Sequence, residues 1–336
     1  MSKYDVIALG NALVDKEYEV TDEFLAAQGV EKGVMTLLEC DVQQRLLDSL
    51  NNQFGLKKRA GGGSAANSMV TTAQFGGKVF YCCKVGDDAL GEFYLKDLTD
   101  AGVMHRLDQQ NTPGATGRCV VMVSQDAERT MCTYLGITID FSVNELHEDV
   151  IRNAQILYIE GHLVYQREAV DAILVAKKIA REAGIKVAMT FSDPAVVKYA
   201  RDHLADVIGE DGVDLLFCNQ DEVADWAGND DVDAGIEDLL KICPTLVLTR
   251  GSKGAQIITR ESVIDIPPYP VKAVDSTGAG DTFAGAFLYG ITNGLDMATA
   301  GRLASRSAAE CVSQFGPRLA ADVQQTILAE VLGEAQ

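Results

Sequence analysis

The strongest constraint on this chain is an alternation of short apolar runs with helix-length amphipathic segments, each run stopping at small or polar turn residues. Tyr4-Asp5-Val6-Ile7-Ala8-Leu9 ends at Gly10-Asn11, and Ile156 to Ile159 gives way at Gly161. Lys186 to Phe191 stops at Asp193-Pro194, Leu215 to Cys218 at Asn219, and Leu246 to Thr249 at Gly251. Each run has the length and apolar character of a buried strand. Between them lie segments such as Arg167 to Ala183, where Val170, Ile173, Leu174 and Ile179 recur at helical spacing before Gly184 ends the turn. This order predicts an α/β fold: a central, mostly parallel sheet with helices on both faces, and ligands held beyond the carboxyl ends of the strands. The loops just named lie at those ends.

Composition narrows the function classes. Of 336 residues, 47% are apolar, enough for a large core. Against 49 Asp plus Glu stand 29 Lys plus Arg, a formal charge of −20. Such a balance argues against nucleic-acid partners, because non-specific binding needs cations to neutralise phosphates. No stretch approaches the roughly 20 apolar residues of a membrane-spanning helix, and the chain reaches Tyr4 and Asp5 without a leader-peptide core. A cytoplasmic protein with no membrane partner is expected. Eight cysteines are scattered through apolar segments without a C-x-x-C pair, and the four histidines stand far apart. That pattern predicts reduced thiols and no resident protein-bound metal.

Two stretches break the alternation, Val14 to Leu38 and Thr116 to Gly136. In the second, Arg118 to Val123 and Arg129 to Tyr134 flank the turn-like Gln125-Asp126-Ala127-Glu128, a β-hairpin pattern. Residues 1–336 are therefore expected to form one domain with a small discontinuous β lid from about 14–38 and 116–136.

The most informative segment is Asp275-Ser276-Thr277-Gly278-Ala279-Gly280-Asp281, a glycine-rich turn opening a helix. Backbone N–H groups there can converge on an anion, and the helix dipole adds positive potential. A carboxylate in such a place needs a task. Asp281 can draw the proton from an acceptor hydroxyl while the backbone of Gly278, Ala279 and Gly280 stabilises a transferring phosphoryl group. The plainer alternative makes Asp281 a first-turn residue capping its helix. A second loop, Gly61-Gly62-Gly63-Ser64-Ala65-Ala66-Asn67, also opens a helix. It fits the dinucleotide pattern G-x-G-x-x-A, but the charged Leu56-Lys57-Lys58-Arg59 precedes it rather than an apolar strand. Close approach to a polyhydroxylated substrate, aided by Asn67, suits it better; an ordinary helix-start turn is the alternative. Asn11 and Asp15 follow the first strand, and a carboxylate there can accept from vicinal hydroxyls. Asn219-Gln220-Asp221-Glu222 and Thr249-Arg250-Gly251-Ser252-Lys253-Gly254 follow consecutive strands, the first able to act near hydrated Mg2+ and the second leaving room for a nucleotide. Caps and turns would explain either one alone.

Together these motifs resemble the ribokinase, or phosphofructokinase-B, family of small-molecule kinases over nearly the whole length. The resemblance rests on Gly62-Gly63-Ser64-Ala65-Ala66-Asn67, Asn219-x-x-Glu222, Thr249-x-Gly251-x-x-Gly254 and Asp275 to Asp281. It implies a ribokinase-like fold, with Asp281 as catalytic base and the Gly278, Ala279 and Gly280 amides as anion hole. Asn11, Asp15, Gly62, Gly63 and Asn67 would hold the substrate. Asn219, Glu222, Thr249, Gly251 and Gly254 would serve the nucleotide, with Ser305 near the adenine. ATP is the implied co-substrate with Mg2+ held mainly through ATP and water; some relatives also use K+. The step from Asn11 to Asp15 and the late Phe315-Gly316-Pro317-Arg318 look more like adenosine kinases than ribokinases. The expected reaction is transfer of the γ-phosphoryl of ATP to the 5′-hydroxyl of adenosine or a related nucleoside, by a monomer or homodimer. Alternatives are a fructokinase- or ribokinase-type sugar kinase, an NAD-dependent oxidoreductase built on Gly61-x-Gly63, and a non-catalytic nucleoside-binding protein.

Overall fold

The computed structural model describes residues 3–106, 112–126, 128–228, 231–320 and 322–333. Thirteen strands occur among them: β1 (Tyr4–Leu9), β2 (Leu13–Glu19), β3 (Met35–Leu37), β4 (Leu56–Gly62), β5 (Val79–Cys82), β6 (Gly117–Val123), β7 (Arg129–Tyr134), β8 (Ala154–Glu160), β9 (Lys186–Thr190), β10 (Leu215–Asn219), β11 (Thr245–Thr249), β12 (Ala255–Thr259) and β13 (Val263–Ile266). Eight of these form a sheet in the order β13-β12-β11-β10-β9-β8-β1-β5. Pairing is parallel from β5 to β11 and antiparallel from β11 to β13.

The apolar runs have two buried faces because helices cover both sides of this sheet. Val6 and Ala8 pack with Tyr158, Phe217 and Val247 on one face. Ile7 and Leu9 pack with Leu157, Met189 and Leu246 on the other. Helices Ser64–Gln74, Ala279–Thr292 and Met297–Val312 contribute to the first layer, and helix Arg167–Glu182 to the second. No helix among the described residues is long and apolar enough to cross a membrane.

A second, five-stranded sheet has the order β3-β7-β6-β2-β4. Helices Asp22–Gln28 and Cys40–Gln53 cover its outer face, burying Tyr18, Leu25, Leu47, Leu50, Val120 and Met122. Its other face carries Cys119, Val121 and Val123 against Met131 and Phe315. The hairpin of β6 and β7 pairs Arg118 with Tyr134 and Val123 with Arg129. Within its expected turn, Ala127 lies outside the described residues. The sheet also takes in β4, which falls in neither of the two stretches that break the alternation. Its Leu56-Lys57-Lys58-Arg59 portion is polar because β4 is an edge strand, where exposed charges oppose unwanted pairing. Gly61 and Gly62 therefore do follow strand residues. That strand is antiparallel to β2 and lies outside the main sheet, unlike the parallel strand that a dinucleotide fingerprint requires.

Candidate active site

The carboxyl ends of β1, β8, β9, β10 and β11 open on a cleft of about 450 Å³, roofed by residues of the second sheet. Its walls bring together Asn11, Asp15, Gly63, Asn67, Asn219, Glu222, Thr249, Gly251, Gly278, Ala279, Gly280 and Asp281. These come from five separate regions of the sequence. Gly62, Gly254 and Ser305 are not among the lining residues. Gly62 lies directly under the Asp15 carboxyl, where an added Cβ would come within 2.2 Å. Gly254 turns the chain into β12 at a φ of +83°. The Ser305 hydroxyl donates to the Pro267 carbonyl at 2.9 Å.

Helix Ala279–Thr292 starts at Gly278, which has a left-handed φ of +73° and provides no side-chain cap. A Cβ there would meet the Pro317 carbonyl oxygen at 2.3 Å, whereas one at Gly280 would meet nothing within 4 Å. The helix end is thus pinned on one side and open on the other. Of the Gly278, Ala279 and Gly280 amides expected to meet an anion, that of Ala279 instead donates to the Ser276 carbonyl at 3.3 Å, and the first-turn amides left without a backbone acceptor among the described residues are those of Gly280 and Asp281. Asp275 braces the loop by accepting from the Thr277 amide at 2.9 Å, the Thr277 hydroxyl at 2.6 Å and the Gly316 amide at 2.9 Å.

The Asp281 carboxylate accepts from the Ser64 hydroxyl at 2.6 Å and from Asn67 Nδ2 at 3.0 Å. Burial raises its pKa above the ordinary value, opposed by these two hydrogen bonds and by the charges of Arg129 and Arg318. Asp15 is 7% exposed, and no group among the described residues donates to its carboxylate. Burial first, and then the charge of Glu17, push its pKa up to about 8. A carboxyl of this kind, in a cleft and without donors, suits a ligand that brings its own hydroxyls.

Asn11, by contrast, has both ends of its amide engaged. Its Nδ2 donates to Glu160 Oε1 at 3.0 Å, and its Oδ1 accepts from the Thr138 hydroxyl at 3.2 Å. Glu160 also accepts from the Ala65 amide at 2.9 Å, joining the end of β1 to the start of helix Ser64–Gln74. Burial raises the pKa of Glu160 to about 7. Asn219 and Glu222 form a reciprocal capping box: the Glu222 amide donates to Asn219 Oδ1 and the Asn219 amide to Glu222 Oε2, each at 2.8 Å. Their pattern thus has a local structural function as well as a place in the cleft wall. Burial pushes the Glu222 pKa up to about 8.

Four charged or polar neighbours of this set carry no motif of their own. Ser64 is visible only as a member of the glycine loop. Glu160 follows the apolar run of β8, and Arg129 and His162 also line the cleft. The His162 Nδ1 stands 3.7 Å from Glu160 Oε1, and burial lowers its pKa. An acidic residue ending a strand at the ligand edge was the one available signal for Glu160.

Comparison with known proteins agrees with this geometry. Residues 34–324 match the pfkB family of carbohydrate kinases. The chain is 29% identical over 333 residues to adenosine kinase of Saccharomyces cerevisiae, covering 93% of this chain and 96% of that one. A crystal structure of a probable sugar kinase from Rhizobium etli superposes with a TM-score of 0.92 at 31% identity, covering 99% of both chains. Adenosine kinase from Sinorhizobium meliloti superposes with a TM-score of 0.90 at 33% identity, covering 100% of both. The sheet order, with a glycine-opened helix at its ligand edge, is the architecture of ribokinase-like phosphotransferases. The chain belongs to the pfkB family of carbohydrate kinases, enzymes that phosphorylate hydroxyl groups of nucleosides and sugars.

Proposed function

We propose that this kinase transfers the γ-phosphoryl of ATP to the 5′-hydroxyl of adenosine or a related nucleoside. The observation that carries the reading is the placement of Asp281 and Asp15 in one cleft. One carboxylate is held by Ser64 and Asn67 at an uncapped helix N-terminus, and the other has no protein donor. Asp15 accepts the vicinal ribose hydroxyls, and Asn11, fixed by Glu160 and Thr138, shapes that end of the pocket. The apolar Met35, Leu37, Met131 and Leu135 of the same cleft offer a surface for a base. Both adenosine kinases named above support a nucleoside acceptor.

In the proposed reaction, Asp281 accepts the proton of the hydroxyl as that oxygen attacks the γ-phosphorus in line, and ADP leaves. The amides of Gly280 and Asp281, and Arg129 across the cleft, stabilise the charge on the transferring group. Mg2+ enters as part of the nucleotide substrate and neutralises phosphate charge. Glu222, whose Oε2 already accepts the Asn219 amide, would lie near the hydrated ion when the nucleotide is bound. Thr249, Gly251 and Gly254 shape the nucleotide end, where Gly251 faces open space. The second sheet serves as a lid that excludes water during transfer. ATP and free nucleosides meet in the cytoplasm, where we place the enzyme.

Sugar phosphorylation is the second reading, favoured by the likeness to the Rhizobium etli protein. ADP release across a panel of nucleosides and ketohexoses or pentoses, with Mg2+ and with or without K+, separates the two. Adenosine should give the highest kcat/KM; a free sugar exceeding it overturns the nucleoside assignment. Asp281→Ala should lower kcat by about 10³-fold or more with acceptor binding retained, and near-normal turnover would remove Asp281 as base.

A further inference from the structure

Asn67 is 4% exposed and lies between two charged groups that dictate which way its amide points. On one side its Nδ2 donates to Asp281 at 3.0 Å; on the other its Oδ1 accepts from Arg318 Nε at 3.1 Å. A guanidinium only donates and an ionised carboxylate only accepts, so the amide between them satisfies both in a single orientation. Arg318 is clamped in turn. Its Nη1 pairs with Asp97, and the same Asp97 oxygen accepts from the Gly61 amide at 3.2 Å. The Arg318 side chain is 10% exposed, so the pairing operates largely out of water. Its loop also supplies Pro317, which packs against Gly278.

We propose that Arg318 is a positioning residue for phosphoryl transfer, holding Asn67 so that its amide nitrogen, and not its oxygen, faces the Asp281 carboxylate. The proposal rests on the reading of Asp281 as the base. Without the Nε–H donor the Asn67 amide is free to turn, and its oxygen would then oppose an anionic carboxylate. The base would lose a hydrogen bond to its charged form and hold its proton to higher pH. Arg129 from β7, Asp15 from β2, Glu160 and Tyr158 from β8, and Cys311 from helix Met297–Val312 also act on Asp281 electrostatically. None of these side chains is hydrogen-bonded to Arg318, whose own charge also lowers the Asp281 pKa and is kept in both Arg318→Lys and Asp97→Asn.

The test is a set of kcat-against-pH profiles at saturating ATP and acceptor. Arg318→Lys keeps the charge and loses the fork. It should lower kcat about 10- to 100-fold, leave KM for ATP within about threefold, and move the acid limb up by about half a pH unit or more. In an Asn67→Ala background the same change should lower kcat by less than about threefold, because the residue it acts through is gone. Asp97→Asn, which loosens the clamp while leaving Arg318 in place, should shift the limb in the same direction and serves if Arg318→Lys does not fold. A folded variant with unchanged kcat and acid limb overturns the proposal, as does an undiminished effect in the Asn67→Ala background. Asp281→Asn is the separate control: if it keeps turnover and the acid limb, the base reading itself fails, whatever Arg318 does.

Discussion

Glu17 is fully buried, and neither of its carboxylate oxygens has a hydrogen-bond partner. It stands two residues from Asp15 on β2, opposite Lys58 of β4. Burial raises its pKa from 4.5 to about 7, with Lys58 opposing the rise and Asp275 adding to it. The folded state thus retains a proton that the unfolded chain has already released between these values. The protonated form's advantage is present below pH 4.5 and is lost as pH rises through about 7. Glu17→Gln removes the titration. Its stability relative to the parent, from urea unfolding, should improve by about 2–3 kcal/mol between pH 4.5 and pH 8. A stability difference that stays flat over this range would mean that Glu17 is not buried in the charged form. Asp281 and Glu17 share the cost of burial but differ in their partners. Ser64 and Asn67 hold the charged form of one, while nothing among the described residues donates to the other.

Helix ends decide much of the local architecture. Lys177, 6% exposed on helix Arg167–Glu182, donates to the carbonyls of Val207 and Ile208 at 2.6 Å each, satisfying the last turn of helix Arg201–Ile208. Lys177→Met should destabilise the protein by about 2–3 kcal/mol at pH 7 by orphaning these groups. Burial lowers the Lys177 pKa to about 8, so the folded state releases its proton before the unfolded chain does. The parent should therefore gain stability between about pH 8 and 10 relative to the variant, and thermal unfolding at the two pH values checks the sign. At the opposite kind of end, Gly278→Ala puts a Cβ 2.3 Å from the Pro317 oxygen at a φ of +73°. It should lower the melting temperature by several degrees and kcat by at least about tenfold, since the loop carrying the amides proposed to face the phosphoryl group must shift. Unchanged melting and turnover would show that the loop has more room than its packing implies.

At the scale of the molecule, the cleft exists because the second sheet, built from three separated chain segments, sits over the carboxyl edge of the first. If it closes on substrates, adenosine with a non-hydrolysable ATP analogue should slow hydrogen exchange at β2, β6 and β7 while leaving β10 and β11 backbone amides little changed. Equal protection of both sheets, or of neither, would remove the lid role. Much of this was legible in the residues themselves. Unbroken apolar runs ending at Gly10, Asn219 or Gly251 identify buried parallel strands, because two covered faces leave no polar side to alternate. A glycine-rich turn before Asp281 likewise announces an open helix end, since those backbone angles and the lack of side chains are local properties. The charged β4 was hidden for the converse reason: an edge strand with exposed lysines reads as loop, and only its pairing with β2 makes it a strand. Glu160 meets Asn11 across 149 residues, Asp281 meets Ser64 across 217, and Arg318 meets Asn67 across 251. The sequence alone determined the sheet, the glycine-opened helix and the chemical groups at each strand end, because these depend on periodicity and backbone freedom over a few neighbours. Which carboxylate is held by donors, which is left open, and which arginine fixes the amide between them were decided by tertiary structure, because burial and hydrogen-bond partnership exist only once distant segments pack.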